Sequence, residues 1–367
     1  MYNIAMLNKT KINFRQNNYN TSDSGVMFLL ALFVPQFLML VVTLICATAT
    51  GLPFSSADPE VATFISTYPT LYVVLCGLVP QVSMLLCFFF LSERKKINYA
   101  KANQISFKTF NWKIMLIVLA IGVVCLFGFS AFVNWFDYIV KGWGYTSSVS
   151  NIDVKTFGKF IGAVFYIGLM PAICEELVFR GVITNGLKEN GTKVAVVLSA
   201  VLFALMHQNL QQFFYQLFLG GVMAYIVLKT GNILYTMLLH FLNNFCVLLD
   251  GYISSKNAVI EPDLNAYYSN PWNNIWPFLV MLLAVAVVVG LLVLLNYVIK
   301  KQKSKIITST NEQISISHSQ EENKNVTENQ ATIEQTKQNI SPFKNIYFLI
   351  ALIAGIMFWI LSIYLHF

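Results

Sequence analysis

The chain has 367 residues, of which 56% are hydrophobic and only 11% charged, with a mean hydropathy of +0.62 and a formal net charge of +7. Soluble domains carry about a quarter charged residues, so this composition excludes a soluble globular protein and indicates a polytopic membrane protein. The basic excess then reads as a topology signal around membrane spans, and no nucleic-acid partner is expected.

In chain order, residues 1–25 are polar and begin MYNIAMLNKTKINFRQNN, so no cleavable signal peptide is expected. A span needs about 20 apolar residues. That rule predicts three helices within 26–156, at 26–48, 71–92 and 114–135. Four more follow within 157–250, at 157–180, 194–207, 210–229 and 232–249, the second of them short. An eighth is expected at 273–298 within 251–299, and a last one at 346–365 within 343–367. Between them, 300–342 is rich in Ser, Thr, Asn, Gln, Glu and Lys, and is expected to be a disordered tether. The expected fold is an all-α transmembrane bundle of about nine spans, with helices four to seven as its core. Eight spans and one re-entrant segment is the alternative. All six cysteines lie in apolar runs and read as small buried hydrophobes.

Alternating the loops of nine spans puts Lys141, Lys155, Lys159 and Lys256 on one side and the other 20 of the 24 basic residues opposite. The expected topology is a multi-pass cell-membrane protein with its N-terminus cytoplasmic and its C-terminus outside.

The polar residues inside the apolar runs are few. Of 17 acidic residues, only Glu175 and Glu176 fall within one. Each costs roughly 2.5–3.5 kcal/mol at a helix centre unless it faces protein or water. Two of the four histidines, His207 and His240, lie in or at the ends of apolar helices. Glu176 and Arg180 are i,i+4 with the acid first, the favourable order for a pair, while Glu175 points about 100° away. His240 and Asn244 share a helical face, as do Phe203 and His207. Counting from the turn at Asn190–Gly191 puts Glu175 and His207 at a similar depth, roughly 22–24 Å along their helices. Gln208, Asn209, Gln211, Gln212 and Gln216 follow, amides expected to line a watery cavity. Pro171 is expected to kink the fourth helix. Taken singly, a Glu–Arg pair also serves as a topology anchor, and an intramembrane histidine as a hydrogen-bond partner between helices. The conjunction of two acids, an arginine, two histidines and an asparagine is what points to chemistry.

These residues resemble the motifs of the CPBP family, the CAAX-protease and bacteriocin-processing intramembrane proteases. Glu-Glu-x-x-x-Arg appears as EELVFR (Glu175, Glu176, Arg180), Phe-x-x-x-His as FALMH (Phe203, His207) and His-x-x-x-Asn as HFLNN (His240, Asn244). The resemblance covers roughly 157–250. It implies an intramembrane endopeptidase acting on a membrane-anchored peptide or protein, of prenylated CAAX type or of bacteriocin or pheromone type. A non-proteolytic immunity or scaffold role is the alternative within the family. A proton-coupled transporter would use similar charges, but no second half of the chain repeats them. Peptide hydrolysis needs an activated water and an oxyanion stabiliser. Glu175 is accordingly expected as general base, with His207 holding the water. His240 and Asn244 are the expected oxyanion donors, and Glu176 with Arg180 the support. The family is often labelled metalloprotease, and Glu175, His207 and His240 form a zinc-like ligand set. No His-Glu-x-x-His helix is present and the sequence does not decide: no obligatory metal is expected, with zinc at Glu175, His207 and His240 as the alternative. Oligomeric state is not legible.

Overall fold

The computed structural model describes residues 18–98 except 57 and 59, 110–146, 152–257, 263–318 and 341–366, together with Ala102, Ile105 and Phe107. The described residues form an all-helical bundle. Its long helices are α1 (Thr21–Thr50), α2 (Pro69–Arg94), α3 (Trp112–Gly142), α4 (Phe157–Asn190), α5 (Thr192–Met206), α6 (Phe213–Thr230), α7 (Leu234–Ser254), α8 (Pro271–His318) and α9 (Ile346–Tyr364). Eight of these are long and apolar enough to cross a membrane. The ninth, α5, has 15 residues and spans only ~22 Å.

The helix ends sort into two sets, as an up-and-down bundle requires. At one end Lys95 pairs with Asp23 at 2.8 Å, Thr21 donates its hydroxyl to Glu189 at 2.5 Å, and the Asn345 amide reaches Ser22 at 2.7 Å. At the other end the Thr146 amide bonds the His366 carbonyl at 2.8 Å, and Lys256 the Lys155 carbonyl at 2.7 Å. Each contact joins loops that nine alternating helices put on one side. Outward faces carry apolar side chains such as Phe37, Leu44 and Leu283, each more than half exposed, as a lipid-facing surface does.

Local sequence explains the caps and breaks. Asn20 and Asp23 form a reciprocal capping box at the start of α1, and Gly51 closes it in the left-handed conformation that glycine adopts without penalty. In α4, Pro171 lies between two π-helical stretches, Val164–Leu169 and Leu177–Thr184. The wider turns take up the distortion that proline introduces, and they free carbonyls for partners outside the helix. Ile183 thus accepts from the Ser24 hydroxyl at 2.9 Å, and Ile167 from the Asn244 amide at 3.0 Å. Ser24 fits because Gly186 faces it: a Cβ there would lie 2.2 Å from the Ser24 hydroxyl.

Two expectations change. Helix α8 continues to His318, into the stretch expected to be a disordered tether, while 319–340 lie outside the described residues. Extending an existing helix avoids the nucleation step, so Lys- and Gln-containing turns continue it. The cysteines are free among the described residues, yet Cys76 is exposed on the outer face of α2, where lipid accepts a thiol as readily as a core does.

Candidate active site

The site forms where α4, α5 and α7 meet, with α2 and α6 closing its sides. Glu176 and Arg180 have no exposed surface. The guanidinium donates to Glu176 Oε1 at 2.9 Å and to the Gly220 carbonyl at 3.3 Å, and lies 4.3 Å from the Phe203 ring centroid. Charge, hydrogen bond and ring face offset part of the cost of taking an ion pair out of water, while Glu176 Oε2 and Arg180 Nε have no hydrogen-bond partner among the described residues. Gly220 lets α6 approach, since a Cβ there would sit 3.0 Å from Phe203.

His240 extends this network. Its Nδ1 lies 3.0 Å from the same Glu176 oxygen. A carboxylate only accepts, so Nδ1 carries the hydrogen and Nε2 is left facing Glu175 Oε2 at 4.0 Å. A water 2.8 Å from each atom fits across that gap. The other Glu175 oxygen accepts from Gln81 Nε2 at 2.9 Å. His207 is fixed in the same manner: its Nδ1 is 2.8 Å from the Phe203 carbonyl, which leaves Nε2 as an acceptor. The Phe203 ring meets both imidazoles edge to face, its centroid 4.7 Å from that of His207 and 6.1 Å from that of His240.

Glu175 and His207 both line a cavity of about 200 Å³, whose other walls include Gln36 and Pro35 of α1, Gln81 and Pro80 of α2, and Gln208. Gln208 follows the end of α5 with φ of 48°, a left-handed conformation uncommon outside glycine. Its carbonyl is held by the Ser362 hydroxyl of α9 at 2.7 Å. Conformations of this kind persist where surrounding structure over-determines them.

The expected residues are therefore not equivalent in place. Glu175, Glu176, Arg180 and His240 form one connected group, and His207 joins it through Phe203 and the cavity it shares with Glu175. Asn244 stands one turn beyond His240 and uses an amide hydrogen on the π-helical carbonyl of Ile167, tying α7 to α4. Of the amides expected to wet the cavity, Gln208 lines it, whereas Gln211 donates to Asp137 and Asn209 caps the Gln212 amide at 3.2 Å. The α5–α6 loop satisfies itself because its amides can reach one another and α3. Gln81 was not singled out in the sequence. Its signal was a lone amide inside an apolar run, directly after a proline.

Among the described residues, no group of three His, Cys, Asp or Glu side chains could hold a metal ion.

Residues 157–246 match the family model described as Rce1-like, type II CAAX prenyl endopeptidase Rce1-like. The match covers α4 to α6 and the part of α7 carrying His240 and Asn244, and leaves α1–α3, α8 and α9 outside. Neither a curated protein nor a solved structure matches the chain.

Proposed function

We infer that this chain, a member of the CPBP-type CAAX protease family through residues 157–246, is an intramembrane endopeptidase that cleaves a membrane-anchored peptide with a glutamate-activated water. The observation carrying this reading is the 4.0 Å gap between Glu175 Oε2 and His240 Nε2, beside a cavity that Glu175 and His207 share. Water in that gap gives a proton to Glu175 as its oxygen adds to the scissile carbonyl carbon. His207 Nε2, fixed as an acceptor, holds the water's second hydrogen. The oxyanion takes hydrogen bonds from protonated His240 Nε2 and from the second amide hydrogen of Asn244. Glu175 then returns its proton to the amide nitrogen as the C–N bond breaks, so the carboxylate is regenerated.

Charge accounting supports a protonated His240 at that step. With Glu175 protonated, Glu176 and the oxyanion stand against one arginine at membrane depth, and an imidazolium held by Glu176 cancels the remaining negative charge. The substrate is proposed as a membrane-anchored polypeptide, prenylated at its C-terminus or of bacteriocin or pheromone type. The protein is proposed to lie in the cell membrane with its N-terminus inside and its C-terminus outside, from the 20-to-4 distribution of basic residues.

Comparison of new protein termini in membranes carrying wild type or Glu175→Gln tests the reading. A set of termini present only with the wild type, and lost in Glu175→Gln, identifies substrate and cleavage site together. Identical termini from both proteins would overturn it.

A further inference from the structure

Glu175 takes one hydrogen bond among the described residues, and it comes from outside the matched family segment: Gln81 Nε2 of α2, at 2.9 Å. Gln81 is 7% exposed, and its Oε1 has no partner. An unpaired buried carbonyl carries a desolvation penalty that a methionine of the same length would avoid. What the amide offers in return is the contact made by its nitrogen. The orientation follows from chemistry, because a carboxylate accepts and only the amide NH₂ can face it.

The backbone places this side chain. Pro80 removes one helical donor immediately before Gln81, and the Ser83 hydroxyl takes up the Pro80 carbonyl at 2.7 Å. Gln81 stands 13 residues from the Arg94 end of α2, and Glu175 stands 15 from the Asn190 end of α4. At 1.5 Å per residue both lie at a depth of about 20 Å. With Oε1 held by Gln81, Oε2 is the oxygen that faces His240 Nε2.

We propose that Gln81 is a positioning residue for Glu175, fixing which carboxylate oxygen faces the water gap. This rests on the reading of Glu175 as the base. The α2 helix, although outside the family segment, thereby belongs to the catalytic machinery of this chain.

The test is spectroscopic and kinetic. Subtracting the infrared spectrum of Glu175→Gln from that of the wild-type protein isolates the carboxylate stretch of Glu175. Gln81→Met, which keeps length but removes the donor, is expected to displace that band. Gln81→Asn, which keeps the amide but falls one carbon short, is expected to displace it too, and serves if Gln81→Met does not fold. Against the substrate identified by its lost terminus, both variants should lower kcat about tenfold with KM unchanged, the effect of losing one hydrogen bond to a charged group. An unmoved band overturns the proposal, and so does a rise in KM at constant kcat, which would make Gln81 a substrate contact. Should Glu175→Gln cleave as the wild type does, the catalytic reading falls, while the band still decides whether Gln81 holds this carboxylate.

Discussion

Glu176 has no exposed surface and shares one oxygen between Arg180 and His240, whereas Glu175, one residue earlier, borders a cavity and takes a single hydrogen bond from Gln81. The two residues are chemically identical and about 100° apart on one helix. Their difference lies in what each direction meets. On one side α6 and α7 close over the carboxylate, Arg180 pairs with it from the next turn of α4, and α7 supplies the His240 imidazole. On the other, the walls include Pro35 and Pro80, each inside a continuous helix, and the left-handed Gln208, and they leave space. A paired carboxylate is structure. A carboxylate held at one oxygen and open at the other can take a proton.

Substitutions at the two sides should therefore separate activity from stability. Glu175→Gln is expected to lower turnover by about 10²–10⁴, the range for loss of a general base, while the thermal unfolding midpoint in detergent stays near that of the wild type. A large loss of stability instead would place Glu175 with the structural pair. Arg180→Leu acts on the other side and is expected to destabilise by about 3–5 kcal/mol, because it leaves Glu176 charged and buried without its main partner. Calorimetry or a denaturant titration reads that loss, and an unchanged midpoint would show that His240 alone suffices.

Smaller changes sharpen the contrast. Gly220→Ala forces a Cβ to within 3.0 Å of Phe203, the ring that underlies Arg180 and contacts both imidazoles. Overpacking of this kind is expected to cost about 1–3 kcal/mol, measured by thermal unfolding. Ser362→Ala removes the hydroxyl that holds the Gln208 carbonyl on the cavity side. The expected loss is about 0.5–1.5 kcal/mol, with a modest fall in turnover. A fall in stability alone would leave α9 as packing around the cavity rather than a support for its wall.

Eight of the nine long helices were legible because each is an apolar run of bilayer length. The ends of α1, α2 and α9 fall within a few residues of those predicted, where caps and turn residues mark them. The end of α8 was not legible. Polar composition predicts a chain unable to bury apolar surface, but says nothing about a helix already nucleated by the span before it. The Glu176–Arg180 pair followed from i,i+4 spacing alone. Asn244 shows the limit of such periodicity: it shares a face with His240, yet its amide meets the carbonyl of Ile167, four residues before Pro171, whose nitrogen has no hydrogen to donate. The loop amides after His207 were likewise legible as polar but not as mutually satisfied.

By itself the sequence determined that the chain crosses a membrane repeatedly, that its buried charges are confined to one region, and which pairs lie on a common helical face. Those properties follow from composition and from the 3.6-residue period, both local. The tertiary structure alone decided that Gln81 reaches Glu175 across 94 positions of sequence, and that His240 joins the two glutamates. It also decided that a cavity opens beside one carboxylate and not its neighbour. These depend on the depth and rotation at which helices pack, set by glycine approaches, proline bends and π-helical turns acting together, and no single segment of the chain carries that information.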